Sequence, residues 1–274
     1  MRERVILVPT DFSENSEAAV RFAVGLACDI QARIIVMHAY RLLQTLSTAN
    51  QSPFSIKDQW DKTTKEKFEK LKKEILNDCE LDYTFESDVG FAADTILSAV
   101  NANEVDLVIM GTSGEGSWEG VFGSTTLKII NKVNCPVIVI PPKASYSGLD
   151  QITFAYDFKE VKSFSKFSLL VEFIQRFNSH FEILNINNKA VISDEDQDDQ
   201  PYHFDKYLNE LNHTYSFISN ESVPEGILDH ISKKSTDLLV LLKRDHNLYQ
   251  KVFTSSVTKK VVLNTELPLM VLRE

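Results

Sequence analysis

No stretch of this 274-residue chain approaches the roughly 18 consecutive apolar residues of a membrane span. The opening Met-Arg-Glu-Arg is followed only by Val5 to Val8, far short of the apolar region of about 7 to 15 residues that an export signal needs. Both absences predict a protein that stays in the cytoplasm and has no membrane partner. Basic charge is also short. Lys and Arg number 29 against 39 Asp and Glu, a net charge of −10, and such a surface cannot replace the counterions of a nucleic-acid backbone. DNA and RNA are therefore not expected as partners. Cysteine is scarce: Cys28, Cys79 and Cys135 are odd in number and show no C-x-x-C spacing, which predicts packed, reduced thiols rather than a disulfide frame or a zinc site. With 9 Gly and 8 Pro beside 43% hydrophobic and 25% charged residues, the chain is neither low-complexity nor disordered and can bury a core.

The few glycines are not scattered. Five of the 9 fall in the run Asp106-Leu-Val-Ile-Met-Gly111-Thr-Ser-Gly114-Glu-Gly-Ser-Trp-Glu-Gly-Val-Phe-Gly123-Ser124-Thr125. A buried-strand pattern there empties into a glycine-rich loop that ends at small hydroxyl residues just before a helix. Glycines let a backbone approach a ligand closely, and the first amides of a helix have no intrahelical partner and favour negative charge. The loop is thus a candidate phosphate site. It is not a Walker loop, because no lysine follows Gly123, and it is not a dinucleotide fingerprint, because Gly120 falls one position late and the loop follows a late strand.

Along the chain, strand and helix patterns alternate. Val5 to Val8 reads as a strand, and Ala19, Phe22, Ala23, Leu26 and Ala27 follow at helical spacing. Arg33 to Ala39 is a second strand. Phe68, Leu71 and Ile75 mark one face of a charged helix, and Tyr83 to Ser87 is a third strand. Ala92, Ala93, Ile96, Leu97 and Val100 mark another helix; Leu107 to Met110, a helix from about Thr125, and Val137 to Ile140 complete the unit. Such alternation predicts an α/β fold with a doubly wound parallel sheet.

The order then repeats. Ile152-Thr-Phe-Ala-Tyr-Asp157-Phe158 echoes Ile6-Leu-Val-Pro-Thr-Asp11-Phe12, and Ile183 to Ile186 echoes Val36 to Ala39. Gly226-Ile-Leu-Asp-His-Ile through Leu242 echoes Asp94-Thr-Ile-Leu-Ser-Ala through Gly111, Val252 to Ser255 echoes Val121 to Ser124, and Leu267 to Leu272 echoes Cys135 to Ile140. Two domains are expected, 1–143 and 149–274, joined by the turn-rich Pro141 to Gly148. The acidic run Ser193 to Gln200 reads as a solvated loop.

At this point the chain resembles a tandem universal stress protein over almost its whole length. The resemblance implies five-stranded Rossmann-like domains that pair within one chain as a pseudo-dimer, Val137–Ile140 against Leu269–Leu272, with a further homodimer open. It also implies binding of ATP or AMP in the stress response, through an acidic residue after the first strand and a loop of form G-x2-G-x9-G-S/T. Asp11, after Pro9 and Thr10, matches the carboxylate that contacts the adenosine part. Ala39 matches a backbone contact to adenine, and Gly111, Gly114, Gly123 and Ser124, with Thr125 beside it, match the phosphate loop. This loop has one residue fewer than the pattern and carries Glu115 and Glu119, so a polyphosphate there would want a cation; magnesium, possible also at Asp11, would serve.

In the second copy Leu242, Lys243, Arg244, Asp245 and His246 take the places of Gly111 to Glu115, and Thr254 replaces Gly123. The nucleotide site is therefore expected in the first domain only. The same residues also admit plainer roles. Asp11 can be the N-cap of the helix it precedes, Gly111 and Gly114 can serve a tight turn, and Ser124 can cap its helix. His38 reads as a packed or hydrogen-bonded residue and Trp118 as an apolar anchor. No nucleophile, base and charge-stabilising group can be assembled, so an enzyme is not expected beyond slow ATP hydrolysis. The alternative is a scaffold or protein-interaction stress protein, with an unknown protein partner, whose nucleotide site is vestigial.

Overall fold

The computed structural model describes residues 2–40, 53–76, 80–112, 123–159, 161, 164–187, 208, 211–244, 257–258, 260–261 and 264–274, with the backbone alone for 53–61. Internal contacts divide the chain into two compact units, Met1–Tyr146 and Ser147–Glu274.

In the first unit the elements run β1 (Val5–Pro9), α1 (Glu14–Ile30), β2 (Arg33–Tyr40), α2 (Pro53–Leu71, continued by a π turn to Leu76), β3 (Tyr83–Val89), α3 (Ala92–Ala102), β4 (Leu107–Gly111), α4 (Ser124–Lys132) and β5 (Val137–Ile140). The strands pair in parallel in the order β3-β2-β1-β4-β5. Val5–Val8, Leu107–Gly111 and Val137–Ile140 are buried throughout, as strands covered on both faces must be. Helix α1 starts where Ser13 accepts the Ser16 amide at 3.4 Å, with Glu14 and Glu17 in the first turn to suit the helix dipole. It buries Ala19, Val20, Phe22, Ala23, Leu26, Ala27 and Ile30 and ends at Gln31, whose φ of 56° is left-handed.

The second unit runs β6 (Gln151–Ala155), α5 (Ser168–Phe177, after a 3₁₀ turn from Phe164), β7 (His180–Asn187), β8 (His213–Ser219), α6 (Val223–Lys233), β9 (Leu238–Lys243) and β10 (Leu269–Arg273). Its strands are again parallel, in the order β8-β7-β6-β9-β10. Each unit is therefore the expected α/β design.

The duplication extends to single hydrogen bonds. Val5 N–H donates to Asp106 Oδ2 at 2.9 Å as Gln151 N–H does to Asp237 Oδ2 at 2.8 Å. Phe12 and Phe158 share the left-handed region, at φ 63° and 53°. One expected correspondence needs correction. Helices α3 and α6 align end to end, with Ala93, Thr95, Ile96, Ala99 and Val100 buried in one and Pro224, Gly226, Ile227, His230 and Ile231 in the other. Gly226 therefore matches Thr95 rather than Asp94, because burial periodicity, not residue likeness, fixes helix register.

The cysteine expectation also fails in part. Cys28 on α1 is disulfide-bonded, whereas Cys135 keeps its thiol. Spacing rules see only sequence neighbours, so they miss a bond that the fold creates. Among the described residues no helix is long and apolar enough to cross a membrane. The acidic run and the loop replacements Asp245, His246 and Thr254 lie outside the described residues.

Candidate functional site

In the first unit β1 is flanked by β2 and β4, so the chain leaves adjacent strand ends in opposite senses of the strand order. Ligands of open α/β sheets bind in the crevice at such a switch point. The described members of the predicted set lie at the ends of β1, β2 and β4 and at the start of α4. Pro9 closes β1, and Thr10 N–H donates to Met37 O at 2.8 Å. The buried Thr10 hydroxyl accepts the Phe12 amide at 3.0 Å and lies 3.0 Å from Ser16 Oγ. Asp11 Oδ1 accepts Ser13 N–H at 3.1 Å and Ser13 Oγ–H at 2.6 Å. Asp11 is thus not the N-cap of α1; Ser13 is, and Asp11 orients that cap. Ala39 pairs with Asp88 on β3, beyond Met37, the last residue of β2 paired with β1.

Gly111 ends β4. A Cβ there would stand 2.7 Å from the backbone oxygen of Asn15 in the first turn of α1. Its missing side chain is thus explained by helix–strand contact, without a ligand. Gly123 N–H donates to Thr112 O at 2.9 Å, drawing the far end of the loop back to β4. Gly123, not Ser124, is the N-cap of α4, so no side chain caps that helix. Ser124 and Thr125 are its first two residues, Ser124 exposed. Gly114 lies outside the described residues. Sequence reading passed over Thr126, which is 2% exposed and whose hydroxyl donates to Gly111 O at 3.2 Å. A hydroxyl residue in the first turn of a helix after a glycine loop was the only available signal.

His38 stands on β2 beside this crevice. A carbonyl only accepts, so His38 Nδ1–H donates to Thr10 O, at 2.7 Å. The ring packs against Phe12 at a centroid distance of 4.7 Å, and Lys67 Nζ lies 5.2 Å from the Phe12 centroid. Burial pushes the imidazole pKa below its ordinary value, and Lys67 adds to this, while the Thr10 carbonyl and Asp11 oppose it. Neutral His38 therefore keeps one N–H on the turn that carries Asp11. A separate groove of about 370 Å³ between β3 and α3, lined by Met37, Glu86, Asp88 and Asn103 among others, includes none of the predicted site residues.

The second unit treats the same crevice differently. Register places Leu242 beside Leu272 as Gly111 stands beside Ile140, so Leu242 takes the glycine's place. Arg244, two residues on, donates to Asp157 Oδ1 and to Lys159 O, both at 2.8 Å, and to Glu274 Oε2 at 3.2 Å. Its side chain is only 9% exposed. Burial raises the Tyr156 hydroxyl to about 12, so it remains protonated and donates to Lys159 O. A cation of the chain itself thus meets the carboxylate equivalent to Asp11.

A model of the universal stress protein family matches residues 3–141. Universal stress protein MJ0577 of Methanocaldococcus jannaschii is 29% identical over 156 residues, 51% of this chain and 96% of the relative. A universal stress protein of Thermus aquaticus is 28% identical over 142 residues, 50% of this chain and 98% of the relative. The crystal structure of a universal stress protein from Archaeoglobus fulgidus matches 100% of this chain and 99% of its own with a TM-score of 0.77; at 15% identity the likeness concerns the fold.

Proposed function

The chain belongs to the universal stress protein family, and from that premise we propose that its first unit binds an adenine nucleotide, ATP or AMP, in the crevice beyond β1 and β4, as a cytoplasmic stress-response module whose second unit binds none. The observation that carries this reading is the opposite treatment of the crevice in the two units. In the second, Arg244 occupies it and bonds Asp157. In the first, the corresponding carboxylate, Asp11, bonds the Ser13 cap of α1, and α4 opens at Gly123 with no side-chain cap.

On this reading Pro9, Thr10 and Asp11 hold the nucleoside, the Ala39 backbone meets the adenine, and Gly111, Gly114, Gly123, Ser124 and Thr125 bound the phosphates. Among the described residues no cluster of three or more His, Cys, Asp and Glu could hold a metal alone. Magnesium would therefore arrive with the phosphates, with Asp11 as one carboxylate within reach, and would offset Glu115 and Glu119.

The test is mass-spectrometric detection of nucleotide released on denaturing the purified chain, then titration of ATP with magnesium into the stripped protein. Close to one nucleotide per chain is expected. Neither release nor binding would leave the second reading, an interaction scaffold with a relic site. That reading is favoured by Gly111, whose lack of a side chain packing already explains. A bulky residue at Gly114 separates the two: it should abolish nucleotide binding without unfolding the chain under the first, and alter stability alone under the second.

A further inference from the structure

The turn after the first strand is held in the same way in both units, by different residues. In the first, His38 Nδ1–H donates to Thr10 O at 2.7 Å. In the second, Asn185 Nδ2–H donates to Tyr156 O at 2.8 Å. The surroundings match: Thr10 N–H donates to Met37 O at 2.8 Å and Tyr156 N–H to Leu184 O at 2.9 Å. Pro9 pairs with Met37 and Ala155 with Leu184, so His38 and Asn185 are the next residue in each case. The carboxylate that follows accepts an amide two residues on, Ser13 at 3.1 Å and Lys159 at 3.3 Å.

A neutral imidazole and a carboxamide share neither ring, shape nor volume. They share an N–H donor at one place. What both units retain is therefore the bond to the carbonyl just before Asp11 or Asp157. In the second unit the partner of that carboxylate is Arg244, at 2.8 Å.

We propose that His38 is a positioning residue of the first unit's nucleotide site, acting through its Nδ1–H bond to Thr10 O to hold Asp11 where the ligand meets it. The inference rests on the nucleotide reading. His38 itself need not touch the ligand: the bond ties β2, which also carries Ala39, to the turn, so loss of the donor loosens two ligand contacts at once.

The test compares the full-length wild type, His38→Ala and His38→Asn by titration with ATP and magnesium, with thermal unfolding of each variant in parallel. His38→Ala should raise Kd about tenfold or more. His38→Asn, which installs the second unit's own donor, should bring Kd back to within about threefold of wild type. If His38→Ala does not fold, His38→Gln replaces it, since it retains an amide but carries it one methylene too far. Wild-type affinity in the variants that lack or misplace the donor overturns the positioning role and leaves nucleotide binding intact. Failure of His38→Asn to restore binding also overturns it, because the ring rather than the donor would then matter. No binding by the wild type overturns the nucleotide reading, and the positioning role with it.

Discussion

The two units share a strand order, a turn and a set of backbone bonds, yet they begin their first helix at different places. Helix α1 is 17 residues long and starts at Glu14, whereas α5 is 10 residues long and starts at Ser168. Both end at a left-handed residue two positions before the next strand, Gln31 and Asn178, so the difference lies wholly at the N-terminus. The extra turns of α1 bring the Asn15 carbonyl to 2.7 Å from where a Cβ of residue 111 would stand. In the second unit the described residues ahead of α5 form the 3₁₀ turn Phe164–Phe167, and Leu242 stands at the place of Gly111. Glycine at the end of β4 and an early helix start are thus one feature, not two. The loss of the glycine in the second copy follows from its delayed helix as well as from any loss of ligand.

A second contrast lies at the next strand. Ile35 is fully buried in β2, and its counterpart in β7 is Glu182, 5% exposed. Glu182 accepts His230 Nε2–H at 2.9 Å, Lys234 Nζ–H at 2.6 Å and the Ser216 hydroxyl. In the first unit the position of His230 is taken by Ala99. The largest effect expected of a single substitution is therefore at Glu182. Glu182→Ala should lower unfolding stability by about 3 kcal/mol in urea titrations, because it opens a cavity in β7 and strands the buried His230, whereas the half-exposed Lys234 returns to water. The double variant Glu182→Ile with His230→Ala, which installs the first unit's pair, should recover most of that loss. Equal loss in both variants would mean that the second unit has repacked around the network beyond these positions.

The same network sets a pH dependence. Burial raises the Glu182 pKa, but the bonds from Lys234, Ser216 and His230 outweigh it and bring the value from 4.5 to about 2. A carboxylate with a depressed folded-state pKa stabilises the fold fully above its unfolded value. That stabilisation is lost as pH falls through 4.5 toward 2. The stability difference between wild type and Glu182→Gln should shrink over that window; a constant difference would show that the ionised carboxylate is not what the network stabilises.

Gly111→Leu copies the second unit's residue without its delayed helix. It should destabilise the first unit by about 1–3 kcal/mol in urea unfolding, since the first turn of α1 must move. A neutral outcome would break the link between helix start and glycine and return Gly111 to the ligand.

Much of this was legible beforehand. The parallel α/β alternation and the duplicated unit follow from apolar periodicity and from matched pairs such as Asp11 with Asp157. The rest depended on contacts between distant segments. Nothing local in Gly111 reports that Asn15 will lie above it, and Arg244 reads as a loop replacement until it is seen to reach Asp157 and Glu274. Cys28 read as a packed thiol for the same reason. Capping was legible in kind but not in place, because Asp11, Ser13, Gly123 and Ser124 are all acceptable cap residues, and only the backbone decides among them.

The smallest stability effect is expected where the functional question is sharpest. Ser124 read equally as a helix cap and as a phosphate donor. With Gly123 as the N-cap and Ser124 exposed at the first position of α4, the capping role is gone. Ser124→Ala should therefore change unfolding stability by less than about 0.5 kcal/mol, while ATP affinity falls about three- to tenfold if its hydroxyl meets a phosphate. Removal of a true N-cap costs about 1 kcal/mol, so a loss of that size would restore the capping role. Unchanged stability with unchanged affinity would take Ser124 out of the site and leave phosphate binding to the backbone amides that open α4.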